Sequence, residues 1–191
     1  LDFYNIKTSG DEIIPNQNAD SITINSLGFR GDEFSEIKPS NTYRIFMVGG
    51  STMFGSGQSS DETTIPSILQ KIFDSDSSVQ KIEVINVGMP GGKSDSQLHL
   101  VDEKLVGFSP DLVIVYDGWN DLRADLAVGY TKDAWDRICK IGKANDFDVI
   151  ITLQPLAGFG NKKLTQQEVV NSLTGETHEG FQLIADKSTY D

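Results

Sequence analysis

The sequence predicts an α/β fold with a central parallel sheet, and three observations support that prediction. Four short runs are apolar almost throughout and rich in β-branched residues, as strands buried on both faces of a sheet are. Segments with helical periodicity separate these runs, so that strands and helices alternate along the chain. The predicted strands cover residues 43–48, 83–87, 111–116 and 148–153. We therefore expect a three-layer α/β/α domain, flavodoxin-like in its strand order of 2-1-3-4, with right-handed crossovers.

Three predicted helices connect these strands. Each has apolar residues three or four positions apart, as on one face of a helix. The helices cover residues 65–73, 96–106 and 134–144. In the first helix the apolar face consists of Ile65, Ile68, Leu69 and Ile72.

The two ends of the chain differ from the alternating middle. Residues 1–40 are predicted to form an N-terminal arm packed on the domain, with a short strand at 21–25. After Pro155 the sequence has a helix-like stretch at 164–173 but no convincing fifth strand. We therefore interpret residues 1–191 as a single domain whose C-terminal part is expected to be incomplete, with its fifth strand missing.

Composition and charge argue against several classes of function. Hydrophobic residues make up 38% of the chain and charged residues 23%, as in an ordinary globular domain. The net charge of −12 disfavours a nucleic acid or an anionic membrane surface as partner, and no apolar run approaches the ~20 residues of a membrane span. One cysteine, Cys139, excludes an internal disulfide, and two histidines argue against a histidine-rich metal site. We expect no metal or organic cofactor, and the compartment and oligomeric state stay open.

Three loops follow the first three predicted strands at their carboxyl ends, where open α/β sheets have their active sites. The first loop carries Ser51, the second (residues 86–92) contains Gly88, and the third (residues 117–121) contains Asn120. Because these strands are neighbours in the predicted order, we expect the loops to meet. A hydroxyl at a strand-to-helix turn is suited to nucleophilic attack, and a glycine N–H and a carboxamide are donors for a developing oxyanion. The set predicts acyl transfer.

These loops resemble the conserved blocks of the SGNH (GDSL-like) hydrolase superfamily. The matching blocks are Gly49-Gly50-Ser51-x3-Gly55, Asn86-Val87-Gly88 and Gly118-Trp119-Asn120-Asp121. The resemblance covers residues 25–154, with Gly50 where many members have aspartate. It implies an ester hydrolase with Ser51 as nucleophile, and with the N–H groups of Ser51 and Gly88 and the Asn120 amide as oxyanion hole. The substrates that it implies are lipid esters, acetylated glycans and thioesters.

Two more residues are predicted to line the substrate pocket, and one catalytic group is missing. Trp119 lies within the third loop, and Gln154 ends the fourth strand on the same side. The family takes its base from a C-terminal Asp-x-x-His, a motif that does not occur around His99 or His178. We therefore expect the Asp/His pair of the triad to be absent from this chain, and the 191-residue chain to be inactive or feeble.

Other functions stay open at this point. A related protein that binds without hydrolysing also accounts for the missing base. A nucleotide-binding protein is suggested by Gly92-Lys93-Ser94, which resembles the end of a P-loop, although that pattern requires glycine at the position of Val87. Ser51 and Asp121 can also be helix caps, and Gly88 a turn residue.

Overall fold

The computed structural model describes residues 5–19, 21–76, 80–123, 128–155 and 163–168 of the chain. Its first part is an arm that contains two antiparallel pairs of short strands. These strands are β1 (Thr8–Ser9), β2 (Glu12–Ile13), β3 (Gln17–Ala19) and β4 (Ile22–Ile24). The last of them lies within the strand predicted at residues 21–25.

The central sheet consists of β5 (Thr42–Gly49), β6 (Lys81–Gly88), β7 (Leu112–Asp117) and β8 (Asp148–Leu153). The four strands are parallel and lie in the order β6-β5-β7-β8. The predicted α/β class and the 2-1-3-4 order are confirmed. Because Gly49 is the register partner of both Gly88 and Tyr116, the ends of the first three strands lie side by side.

Five α-helices lie in the described part of the chain. They are α1 (Ser51–Phe54), α2 (Ile65–Asp74), α3 (Ser94–Glu103), α4 (Trp119–Arg123) and α5 (Val128–Ala144). The start of α2 is encoded locally, because Thr64 Oγ1 accepts a hydrogen bond from the Ser67 N–H and Pro66 occupies the first turn, where no N–H is needed. None of these helices has the length and apolar character of a membrane span.

An apolar layer covers each face of the sheet. On one face, Phe46 and Val115 pack with Val101 of α3 and Ile138 of α5, all four of them completely buried. On the other face, Met47 packs in a smaller layer with residues of α1 and α2. Helices on both faces give the three layers that the sequence predicts.

Only part of the apolar stripe of α2 contacts the sheet. Leu69 and Phe73, one turn apart, make its apolar contact with the sheet. Ile65, Ile68 and Ile72 are instead 41%, 49% and 58% exposed. The apolar stripe of this helix is wider than the surface that contacts the sheet. The sequence pattern alone therefore does not show which of its apolar residues are buried.

Aromatic rings fasten the arm to the domain. The rings of Phe29 and Phe34 stack with centroids 5.8 Å apart. Phe34 also meets Phe46 of β5 edge-on at 6.1 Å, and Phe29 meets Phe108 edge-on at 6.0 Å. Offset and edge-to-face contacts of this kind add to the free energy gained by burying the rings. The arm therefore shares the core of the domain.

Candidate active site

Ser51 is the first residue of α1 and lies immediately beyond the carboxyl end of β5. Gly50 precedes it in an extended conformation, and Gly55 ends the four-residue helix with a left-handed φ of 91°. The serine is half-buried, and no described residue hydrogen-bonds its hydroxyl. As the first N–H of a helix, its backbone N–H has no intrahelical partner. The residue thus offers a hydroxyl and a backbone donor at one point.

Two glycines allow the loops around Ser51 to approach closely. A Cβ atom on Gly49 would lie 2.3 Å from the Tyr116 carbonyl oxygen of the neighbouring strand. A Cβ atom on Gly50 would lie 2.5 Å from Asn120 Nδ2 and 3.6 Å from the Gly92 carbonyl oxygen. The missing side chain at position 50 therefore makes room for the carboxamide of the third loop.

The Asn120 amide joins the second loop to the third. Its Nδ2 donates a hydrogen bond to the Gly92 carbonyl oxygen at 2.7 Å. Since the same nitrogen lies beside Gly50, the loops after β5, β6 and β7 meet at one place. This geometry brings Ser51 and Asn120 into the same neighbourhood, as an oxyanion site requires.

The Gly88 N–H has a hydrogen-bond partner within its own strand. Its N–H donates to Asn86 Oδ1 at 3.0 Å, and a Cβ atom on it would lie 2.0 Å from the Phe54 backbone nitrogen. The lack of a side chain thus serves the packing of β6 against α1. The oxyanion role of Gly88 stays a prediction, and it requires Asn86 to release this N–H.

The second loop also contains a turn at Pro90-Gly91, which comparison with the family motifs does not reveal. Gly92 N–H donates to the Met89 carbonyl oxygen at 2.9 Å, and Gly91 has a φ of +78°. With Pro90 before Gly91, the segment has the features of a type II turn. No described residue accepts a hydrogen bond from the Gly91 N–H. The Pro-Gly pair is the sequence signal that could have identified this turn.

Arg30 and Asn86 hold the far end of the helix that carries Ser51. Arg30 Nη1 donates to the carbonyl oxygens of Phe54 and Gly55 at 3.1 and 2.9 Å, and Asn86 Nδ2 donates to the Phe54 carbonyl oxygen at 3.2 Å. A cation at a helix C-terminus is stabilising. Arg30 is itself paired with Asp61 at 2.7 Å. The arm and β6 together therefore fix the position of α1.

Among the other residues singled out from the sequence, only Gln154 has a hydrogen bond to a residue next to Ser51 in the described part of the chain. Gln154 Nε2 donates to Thr52 Oγ1 at 3.0 Å, next to Ser51, and Trp119 is half-buried at the start of α4. Their pocket-lining roles stay predictions. His99 lies exposed on α3, where its Nδ1 is 3.2 Å from Glu103 Oε1. His178 lies outside the described residues.

The P-loop-like segment does not form a phosphate cradle. The Ser94 N–H and hydroxyl both donate to the carboxylate of Asp121, at 3.2 and 2.8 Å. A carboxylate therefore occupies the N-terminus of α3, where a phosphate would bind. Among the described residues, no cluster of His, Cys, Asp and Glu is arranged to hold a metal ion.

A cavity of about 230 Å³ adjoins the second loop on the side of the arm. Thr8 and Asp11 of the arm form one wall, and Gly91, Gly92 and Lys93 form another. Gly92 is also the residue that accepts the Asn120 amide hydrogen bond. The cavity therefore shares a wall with the place where the three loops meet.

Comparison with solved structures identifies the fold. TesA is similar over 61% of this chain and 64% of its own, with 20% identity and a TM-score of 0.55. The psychrotrophic esterase EstA from Pseudoalteromonas sp., in a structure inhibited by monoethylphosphonate, is similar over 63% and 64%, with 22% identity and a TM-score of 0.53. AlinE4, an SGNH-hydrolase family esterase, is similar over 69% and 68%, with 21% identity and a TM-score of 0.51.

The chain has the SGNH-hydrolase fold. No family model matches the sequence, and no curated protein does so either. This chain spans just under two thirds of the length of TesA and EstA. At these identities the likeness establishes the SGNH arrangement of sheet and helices, while chemistry has to be argued from the residues of this chain.

Proposed function

We propose that the protein is a serine ester hydrolase that works through an acyl-enzyme on Ser51. One observation carries the proposal: Asn120 Nδ2 lies beside Gly50 and on the Gly92 carbonyl oxygen, so a half-buried serine and a carboxamide share the meeting point of three loops. The SGNH fold supports the same chemistry. We infer a carboxylic ester as substrate, such as that of an acetylated glycan or a lipid.

In the first step, Ser51 Oγ attacks the ester carbonyl carbon while its proton passes to a base. The oxygen of the resulting tetrahedral intermediate accepts hydrogen bonds from the Ser51 N–H and from Asn120 Nδ2. The bond to the alcohol oxygen then breaks, the alcohol leaves with the proton, and water later hydrolyses the acyl-enzyme. A third donor comes from the second loop, either from Gly88 after release of Asn86 or directly from Gly91.

The base is assigned to an Asp/His pair outside this chain. His99 is exposed and faces Glu103, and the sequence contains no Asp-x-x-His. Without that pair the Ser51 hydroxyl is only weakly nucleophilic. The 191-residue chain is therefore inactive or feeble, with at most the residual rate, roughly 10³-fold over water, that an oxyanion hole and binding can sustain.

The substrate is proposed to lie between Trp119, Gln154 and the cavity beside the second loop. In this proposal Trp119 forms part of the pocket wall, and Gln154, whose Nε2 donates to Thr52 Oγ1 next to Ser51, forms another part. The polar cavity along Gly91 and Lys93 then receives part of the alcohol. Cavities of this kind, with a few convergent polar groups, are the usual binding sites of small ligands.

A fluorophosphonate probe tests the proposal in the native-length protein. Ser51 should be labelled, labelling should disappear in Ser51→Ala, and it should persist in the control variant Ser75→Ala, whose serine lies at the far end of α2. A folded protein that contains an Asp-x-x-His but shows no labelling would contradict the proposal.

A non-catalytic binding protein is the second candidate, and it is favoured because His99, the one histidine in the described part of the chain, lies exposed on α3 beside Glu103. It predicts that the native sequence beyond Asp191 also has no Asp-x-x-His. It further predicts that an ester ligand raises the melting temperature without being consumed. Consumption of that ligand would exclude it.

A further inference from the structure

Two buried carboxyl groups lie on either side of Asn120 in the sequence, where β7 ends and α4 begins. Asp117 is the last residue of β7 and is completely buried, and Asp121, one residue after Asn120, is 2% exposed. The proposed reaction uses neither of them. Burying two acidic groups together is costly unless hydrogen bonds or a shared proton compensate. Their presence directly beneath the site therefore needs a physical reason.

The hydrogen bonds around the two carboxyl groups are unequal. Gln97 Nε2 of α3 donates to Asp117 Oδ2 at 2.5 Å, whereas Asp121 accepts from both the N–H and the hydroxyl of Ser94. Asp117 Oδ1 is buried and has no hydrogen-bond partner among the described residues. Burial and the negative charge of Asp121, the charged group next to Asp117, raise the pKa of the Asp117 carboxyl group, whereas the backbone N–H of Gly118 lowers it. Two ionised carboxylates have only acceptors, so they hydrogen-bond to each other only when one of them carries a proton.

The proton belongs on Asp117. The two donors from Ser94 stabilise a negative charge on Asp121, and no described cation hydrogen-bonds either carboxyl group. The groups that face Asp117 from the packed helices are Asp121 of α4 and Gln97 of α3, with Trp135 of α5 nearby, and only Asp121 among them is charged. Burial, and then the neighbouring Asp121, raise the pKa of Asp117 to about 7.

We propose that Asp117 is a positioning residue: a hydrogen bond from its carboxylic acid to Asp121 closes the turn between β7 and α4 and holds the Asn120 amide on Gly92. The inference rests on the proposed function, because Asn120 matters to catalysis only as an oxyanion donor. When Asp117 loses its proton, two buried anions face each other and the turn is pushed open. The Asn120 amide then leaves its place beside Gly50.

Nuclear magnetic resonance of the ¹⁵N-labelled chain tests this directly. The side-chain amide signal of Asn120 should shift with pH in the wild-type protein, with a midpoint at about 7, as for Asp117. In Asp117→Asn it should not shift, since the new amide donates to Asp121 at every pH. In the control Asp111→Asn, at the opposite end of β7, it should shift as in the wild type. A signal that does not move in the wild type, or moves equally in Asp117→Asn, would overturn the proposal.

A second measurement needs no variant. The ¹³C signal of the Asp117 carboxyl group in the wild-type protein should titrate near the same midpoint, and an ordinary midpoint near ~4 would overturn the proposal. Neither measurement depends on ester hydrolysis. If Ser51 is not labelled by the fluorophosphonate while Asn120 titrates as expected, the proposed function fails and the role of Asp117 in holding the turn stands.

Discussion

The two ends of the sheet accommodate buried charge in opposite ways. At the amino end, Arg44 is completely buried, and its guanidinium group donates to Glu83 Oε2 at 2.9 and 3.1 Å and to three backbone carbonyl oxygens. At the carboxyl end, Asp117 and Asp121 are buried together, and the described residues offer them amide and hydroxyl donors but no cation. The buried arginine at the amino end is paired with a carboxylate, whereas the two carboxyl groups at the other end have no cation.

Buried polar atoms without hydrogen-bond partners are unevenly distributed in the described part of the chain. Five buried side-chain polar atoms in the described part of the chain have no hydrogen-bond partner, and three of these belong to Gln97, Asp117 and Trp135 at the carboxyl end. Buried polar groups are otherwise almost always satisfied, and exceptions with perturbed pKa values concentrate at functional sites. Most of the unpartnered polar atoms in the described part of the chain therefore lie at the end of the sheet where the active site is proposed.

Breaking the paired end should have the largest effect. Arg44→Met removes the buried cation that pairs with Glu83 and takes a donor from the carbonyl oxygens of Ser35, Glu36 and Phe108, so we expect a loss of about 3–5 kcal/mol in the free energy of unfolding. Urea denaturation measures it. The control Lys81→Met, which removes an exposed partner of the same Glu83, should cost less than about 1 kcal/mol. A wild-type midpoint in Arg44→Met would contradict this view of the amino end.

Because of Asp117 at the carboxyl end of the sheet, the free energy of unfolding should depend on pH. The pKa of Asp117 is raised from 3.8 to about 7, so the folded state holds this proton more tightly than the unfolded state. Its contribution is complete below about pH 4 and is lost as the pH rises through about 7, a change of at most about 4 kcal/mol. Unfolding free energies measured across this range should fall for the wild type relative to Asp117→Asn. Parallel curves would contradict the expectation.

Crowding the junction of the loops should affect the rate more than the stability. Gly50→Ala places a methyl group where Asn120 Nδ2 lies, and the flexible carboxamide has to move away. Loss of one oxyanion donor lowers kcat by about 10²–10³-fold. The labelling or hydrolysis rate of the native-length protein measures this, with Gly107→Ala, where nothing lies within 4 Å, as control. An unchanged rate in Gly50→Ala would remove Asn120 from the reaction.

The smallest effect is expected on the outer face of α2. Ile72 is 58% exposed, so Ile72→Gln should change the free energy of unfolding by no more than about 0.5 kcal/mol. The comparison variant is Leu69→Ala, which removes a side chain that packs on the sheet and should cost about 2 kcal/mol. If the two variants lost the same free energy of unfolding, Ile72 would have to be packed as closely as Leu69, which would contradict the exposure seen in the structure.

Much of the fold was predictable, and so was the position in the fold of the loops that carry the proposed site residues. The strand order and the positions of Ser51 and Asn120 on neighbouring loops follow from local patterns, since buried strands and glycine turns have short-range signatures. The state of Gly88 was not predictable, because its N–H is taken by Asn86 of the same strand once α1 packs against it. The role of Arg30 in holding the end of α1 was not predictable either, because its partners Phe54 and Gly55 are more than 20 residues away in the sequence.

By itself, the sequence determined the layers, the order of the strands and which three loops leave the sheet at one end, because apolar periodicity and small residues act over a few positions. Only the tertiary structure decided which N–H groups remain free, which side of α2 meets the sheet and which carboxyl group keeps its proton. Those outcomes depend on partners distant in sequence, as Gln97 is from Asp117, and hydrogen bonds and burial at such a distance exist only once the chain has folded.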